Sequence, residues 1–293
     1  MNKIVCFGEV LWDVFPTLKK VGGAPLNVAL RLSSFGNDVA MISSVGNDKD
    51  GEQLLRFIEN NEIHTEGIQV SNKYKTSQVL VSLDNGGSAS YKIKQPCAWD
   101  AIEYSDILES ITEESEVFVY GSLASRMETS KTTLLKLMPF ARFKVFDVNL
   151  RKPHFNIERI MKLMMHADLI KFNDEELFEI CDYLKFRSES IESLCSYISK
   201  QTNTNHICVT LGDKGAIYFK NNKVFSNTGY KVEVRDTVGA GDSFLATFIN
   251  GLINHHGEQM SLDLACAVGA LVASKEGANP IIEQSEIDSL IES

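Results

Sequence analysis

In the segment Asp236-Thr237-Val238-Gly239-Ala240-Gly241-Asp242-Ser243-Phe244, one carboxylate follows three small residues just where an amphipathic helix begins. Phe244, Leu245, Phe248, Ile249 and Leu252 recur at helical spacing, and Tyr230 to Val234 alternates as a strand does, which places the glycines at a strand-to-helix junction. A helix start offers N–H groups without intrahelical partners and the positive end of the dipole, a combination that suits an anion such as phosphate. Gly239, Ala240 and Gly241 let that anion approach the backbone. Repulsion makes Asp242 a poor ligand for it. The role that fits is a base taking the proton from an attacking hydroxyl, as in phosphoryl transfer. The competing reading is a tight glycine turn followed by an acidic first-turn residue that the dipole favours.

The elements that must carry this segment alternate along the chain. Buried-strand patterns at Ile4 to Phe7, Val39 to Ser44, Val117 to Tyr120, Lys144 to Val148, Leu169 to Phe172 and Ile207 to Thr210 are interleaved with helical ones. The helical patterns are Asn27 to Phe35, about 51 to 59, Lys131 to Met138, Ile157 to Met165, Glu175 to Tyr183, Asp242 to Ile253 and Leu262 to Ser274. Such alternation predicts an α/β fold with a mainly parallel sheet covered by helices on both faces. A hairpin signal surrounds the turn Asp84-Asn85-Gly86-Gly87, and a second joins Ala216 to Phe219 with Lys223 to Phe225. The expected organisation is one domain, 1–293, carrying a small β lid built from about 11–22 and 77–100. Ligands of open α/β sheets bind at the carboxyl ends of the strands. That directs attention to Gly8-Glu9, Gly22-Gly23, Gly46-Asn47-Asp48, Gly121-Ser122, Asn149-Leu150-Arg151, Asn173-Asp174-Glu175-Glu176 and Gly212-Asp213-Lys214-Gly215.

A formal charge of −10 argues against a surface made for nucleic acid or anionic membrane. A phosphate must then be held by local donors. Six cysteines, none in a C-x-x-C pair, read as reduced core residues of a cytoplasmic protein. The apolar run at Ile4 to Phe7 is too short for a signal peptide, and no window approaches a membrane span. His255-His256 reads as a solvated helix end. Neither G-x-x-x-x-G-K-[ST] nor a G-x-G-x-x-G after the first strand occurs, so the phosphate site belongs to neither of those nucleotide-binding types.

Gly22-Gly23 and Asn27 precede or open a helix, with Asn27 either its cap or a ligand contact. Taken with Ala29, Gly36, Gly46, Asp236-Thr237, Gly239-Ala240-Gly241 and Asp242, this pattern resembles the two signature segments of the ribokinase-like, or PfkB, family of carbohydrate kinases. The resemblance spans nearly the whole chain and implies a three-layer ribokinase-like domain that transfers phosphate from ATP to a sugar. It departs at Thr247, where the family usually has Ala or Gly.

The same resemblance implies further roles. Asn173 and Glu176 look like the N-x-x-E element that arranges Mg²⁺ and its waters. Lys171, Asn173, Thr210, Gly212, Gly215 and Asn279 look like ATP contacts. Asp236 matches the vicinity of a monovalent cation, K⁺ for example. Asp13, Gly22, Gly23, Asn27, Lys94 and Arg151 fall at sugar-contact positions. The stretches from Gly8 to Pro16, Gln95 to Asp100 and Asp147 to Arg151 are most similar to the bacterial fructokinase branch, with 2-keto-3-deoxygluconate kinases as near relatives. Lys94 stands where these branches often carry Arg, which loses the planar fork suited to a carboxylate. Fructose is therefore the expected substrate, and Trp12, Lys94 and Trp99 the residues expected to bear on the choice of sugar. The rivals are a nucleoside kinase and a non-catalytic sugar sensor on the same fold. The hairpin edge is expected to invite a homodimer through the lid.

Overall fold

The computed structural model of the chain describes residues 2–83 and 89–292, with the side chains of 81–92 left out. The Asp84 to Gly87 turn expected in the first hairpin lies outside the described residues. By contacts the chain forms two compact units, the first containing Lys3–Phe118 and Ala124–Arg142, the second Val119–Leu123 and Phe143–Ser293.

The first unit runs β1 (Lys3–Phe7), β2 (Leu11–Val14), β3 (Lys19–Gly22), α1 (Ala24–Ser34), β4 (Asp38–Gly46) and α2 (Lys49–Asn60). It continues through β5 (Ile63–His64), β6 (Ile68–Ser71), β7 (Ser77–Leu83), β8 (Ala89–Ile93), α3 (Asp106–Glu114), the start of β9 (Val117–Gly121) and α4 (Glu128–Leu137). Strands β1, β4, β5 and β6 pair in parallel. Four of the five residues of β1 are buried, the continuous apolar run expected of a strand covered on both faces. A separate small sheet has the order β3-β2-β7-β8. Its strands fall within the two segments expected to make a lid.

The second unit continues from β9 through β10 (Lys144–Asp147), α5 (Ile157–Met164), β11 (Leu169–Asn173), α6 (Asp174–Tyr183), α7 (Ile191–Thr202) and β12 (His206–Thr210). It ends with β13 (Ala216–Lys220), β14 (Lys223–Asn227), α8 (Ala240–Ile253), α9 (Glu258–Ala273) and α10 (Gln284–Ile291). β10, β11 and β12 are parallel, and β13 and β14 extend the sheet as the expected antiparallel hairpin. The fold is thus α/β, with a mostly parallel sheet and helices. Its core is built from residues such as Phe146, Phe172, Tyr218 and Phe248, each fully buried.

Two expectations are corrected. Tyr230 to Val234 forms no strand: Lys231, Glu233 and Val234 are exposed, and the chain just beyond is tied to a helix end, with Arg235 N–H donating to the Ala273 carbonyl at 2.8 Å. Alternation without a neighbouring ladder is not enough to make a strand. The phosphate-type segment is therefore a loop-to-helix junction. Asn27 is not a cap either. Gly23 caps α1 with Pro25 in the first turn, and Asn27 sits inside the helix, its N–H reaching the Gly23 carbonyl at 2.8 Å. Helices α3, α7 and α10 had no expectation. α3 buries only Leu108 and Thr112 and α10 only Ile287, so the apolar stripe that reveals a helix is nearly absent from both, whereas α7 does bury one, at Leu194, Cys195, Ile198 and Thr202.

Candidate active site

The segment with the glycines begins α8 as its residue types suggest. Gly239 is the N-cap at φ 78°, and a β-carbon there would strike the backbone and side chain of Ala278. Only glycine satisfies both the left-handed backbone and that close approach. Ala240, Gly241 and Asp242 follow as the first three helical residues. The Ala240 N–H turns back to the Thr237 carbonyl at a long 3.3 Å, and the Ser243 N–H is satisfied by Gly239 at 2.8 Å. Between them the Gly241 and Asp242 N–H groups belong to the first turn, where a helix supplies no acceptor of its own. Asp242 is half-buried. The unusual Thr247 is buried behind this turn, its hydroxyl donating to the Ser243 carbonyl at 2.8 Å.

Asp236 anchors the loop. One carboxylate oxygen accepts from the Val238 N–H at 3.0 Å and the other from the Gly277 N–H at 3.1 Å. The loop before α8 is thereby stitched to the loop holding Ala278 and the half-buried Asn279.

Beside Gly241 stands the ammonium of Lys171, 3.4 Å from where a β-carbon on that glycine would lie. It pairs with Asp147 at 3.0 Å, and both side chains are nearly buried. Burial pulls the Lys171 pKa down, but the carboxylates of Asp147, Glu176 and Asp242 outweigh it and hold the amine above its ordinary value. The amine therefore stays charged at neutral pH. Glu176 is pushed above the usual carboxylate range, first by burial and also by Asp147, with Lys171 and two backbone N–H donors opposing. Those donors come from Leu150 at 2.8 Å and Asn173 at 2.9 Å, while the Asn173 side chain accepts from the Glu176 N–H at 2.8 Å. Asn173 and Glu176 thus form a capping box on α6, which fixes their orientation at the end of β11.

After β12, Thr210 donates to the Phe172 carbonyl at 3.3 Å, and Gly212 opens an exposed turn. Gly215, by contrast, is buried against Asn227 and Gly229, a packing position. Arg151 is exposed, and its guanidinium donates to the neighbouring Leu150 carbonyl at 3.0 Å. Its neighbour Leu150 in turn donates its N–H to Glu176 at 2.8 Å.

The sugar-contact positions in the first unit separate by face. Register pairs Leu11 with Gly22 and Asp13 with Val79, so Asp13 and the buried Val79 share one face of the small sheet. The Asp13 carboxylate lies directly against Gly22, where any β-carbon would collide with it. Trp12, Gln78 and Lys94 occupy the other face. There the Trp12 Nε1–H donates to the Asp50 carbonyl at 3.0 Å, Lys94 donates to Gln78 at 3.2 Å and Gln78 to Asp50 at 2.7 Å. Lys94, grouped with Asp13 by sequence, is thus not on its face. Trp99 is fully buried, with the Arg126 guanidinium stacked 4.1 Å above its ring. Arg126 makes a bidentate pair with Asp100, both bonds 2.7 Å, and also donates to the Lys94 carbonyl at 2.9 Å. Sequence reading missed this clamp, and it missed Asp147. The available signal was position, since Asp147 closes β10 and Arg126 follows β9, both at strand carboxyl ends.

A helix start with a carboxylate at its third position, a buried lysine beside it and a carboxylate-lined strand end suit phosphoryl transfer. Comparison with known proteins agrees: the model of the pfkB family carbohydrate kinases matches residues 1–285. The chain belongs to the pfkB family of carbohydrate kinases. Among relatives of this kinase, a probable fructokinase-4 of Arabidopsis thaliana is 29% identical, covering 98% of this chain and 96% of its own. Fructokinase-2 of Solanum lycopersicum is also 29% identical, over 95% of this chain and 92% of its own. An uncharacterised sugar kinase from Pyrococcus horikoshii superposes with a TM-score of 0.85 at 27% identity, covering 99% of this chain and 100% of its own. The ATP-bound fructokinase from Xylella fastidiosa, at 24% identity, shares the fold with a TM-score of 0.86 over 99% of this chain and 98% of its own.

Proposed function

We propose that this pfkB kinase transfers the γ-phosphate of ATP to the terminal primary hydroxyl of D-fructose, giving fructose 6-phosphate. The observation that carries the reading is the α8 N-terminus, where Asp242 follows Gly241 and the charged amine of Lys171 flanks the same turn. Asp242 takes the hydroxyl proton as the oxygen attacks phosphorus. The first-turn N–H groups and Lys171 stabilise the charge on the transferring phosphoryl group. Fructokinases among the relatives support the choice of sugar. Asp13, oriented on Gly22, accepts from sugar hydroxyls, which suits a polyol because one carboxylate can accept from two at once.

Mg²⁺ would neutralise phosphate charge. Glu176 uses one acceptor position on each oxygen for backbone N–H groups, which leaves lone pairs for the waters of the ion. We assign K⁺ to the neighbourhood of Asp236, whose carboxylate joins the two loops there. A fructokinase from Vibrio cholerae with fructose, ADP and potassium ion bound shares the fold, with a TM-score of 0.85. A cytoplasmic location is supported by six buried cysteines, all free thiols. A homodimer through the small sheet is supported by its edge strands β3 and β8.

The test is ADP release with fructose, 2-keto-3-deoxygluconate, ribose and adenosine, each in K⁺ and in a bulky organic cation. Fructose should give the highest kcat/KM, and K⁺ the higher rate. Preference for the keto acid or the nucleoside would overturn the choice of sugar, and equal rates in the two salts would remove the K⁺ assignment.

A further inference from the structure

In the second unit, strand register sets Asp147 opposite Lys171 across β10 and β11. Their side chains are only 5% and 8% exposed, and the Lys171 Nζ donates to the Asp147 Oδ1 at 3.0 Å. The same ammonium lies beside Gly241 in the first turn of α8. A lysine stem is flexible and its charge compact, so something must aim it. Glu176 is a poor candidate, since both of its oxygens accept backbone N–H groups that hold it in the α6 cap. Asp147 differs: its other oxygen, Oδ2, is buried and has no hydrogen-bond partner among the described residues. A buried carboxylate oxygen left unmatched is costly, and a side chain kept for stability alone would not be expected to leave it so.

We propose that Asp147 is a positioning residue for phosphoryl transfer, holding the Lys171 ammonium against the Gly241 turn so that its charge meets the transferring phosphoryl group. The proposal rests on reading the α8 N-terminus as the phosphate site. Asp147 acts through Lys171 and exchanges no proton with the substrate. Its removal therefore matters only while Lys171 is present.

A double-mutant cycle tests this, with the wild type, Asp147→Asn, Lys171→Met and the double variant. Turnover is measured with whichever sugar the wild type uses best, ATP affinity by calorimetry, and folding by the thermal midpoint. Asp147→Asn alone should lower kcat about 10- to 100-fold, the scale of a lost electrostatic contact to the transition state. The KM for sugar should stay within about twofold. In the Lys171→Met background the same change should alter kcat and ATP affinity by less than about threefold. Losses that multiply in full would show Asp147 acting independently of Lys171 and overturn the proposal, as would an Asp147→Asn enzyme with unchanged kcat. A merely structural role would instead shift the thermal midpoint and leave the kcat of the folded enzyme intact. If Asp147→Asn fails to fold, Asp147→Glu, which keeps the charge and displaces it by one methylene, enters the same cycle. If no sugar supports turnover in the wild type, the proposed activity fails, while the ATP-affinity cycle still reports whether Asp147 acts through Lys171.

Discussion

A carboxylate in the first turn of a helix gains from the dipole whether or not it does chemistry, so position alone does not make Asp242 a base. The proposal that it is one rests on its neighbours, since Gly241 leaves the turn open and Lys171 keeps a positive charge beside it. Gly241→Ala separates stability from activity here. Gly241 lies inside α8, and alanine is the better helix former by roughly 0.5–1 kcal/mol, so the thermal midpoint should hold or rise. The added methyl would stand 3.4 Å from the Lys171 amine, in the space assigned to phosphate. The KM for ATP should rise and kcat fall; unchanged kinetics would remove the phosphate from this turn. At this scale the Asp242 segment was legible because all its parts are adjacent in sequence. The Asp147–Lys171 pair was not, since its partners are 24 positions apart and meet only through strand register.

Among elements, the small sheet shows what alternation does and does not reveal. Period-two patterning pointed to β7 and β8, while β2 and β3 lay only within the expected lid segment, and it could not say which face each side chain takes once four strands are in register. Lys94 and Asp13, both plausible sugar contacts by type, fall on opposite faces for that reason. The face with Trp12 is fastened to α2 through Asp50, which accepts from Lys19 at 2.6 Å and from Gln78 at 2.7 Å. The Lys19 contact, with help from Gln78, holds the Asp50 carboxyl below its ordinary value; hydrogen bonds from Thr76 and Gly51 do the same for Asp48 against the effect of burial. A depressed folded-state pKa contributes stability that is complete above the unfolded value, about 3.9, and is lost as pH falls through the folded one. Urea midpoints followed from pH 7 to pH 3 should therefore fall at the acid end. Asp50→Asn should lower the midpoint at pH 7 and flatten the acid limb, with the Asp48 contribution remaining. An acid limb as steep as that of the wild type would show that Asp50 is not a fastening point.

On the scale of the whole molecule, a chain with formal charge −10 binds a polyanion only by local means. In the proposed function the second unit supplies them with a helix start, the buried Lys171 and the α6 capping box. Alternation of strands and helices was enough to read the α/β class, because central strands such as β1 and β9 are nearly continuous apolar runs. The division into two compact units was not readable, since no linker or change of composition marks it. The edge strands of the small sheet predict a dimer, and a monomeric sedimentation profile at micromolar concentration would count against it. Whether Asp242 is the base of a fructose kinase is read from fructose-dependent phosphate transfer by Asp242→Asn. The kcat should be lowered by ~10²-fold or more, with ATP and fructose still bound. A variant that keeps most of its fructose-dependent ADP formation would contradict it.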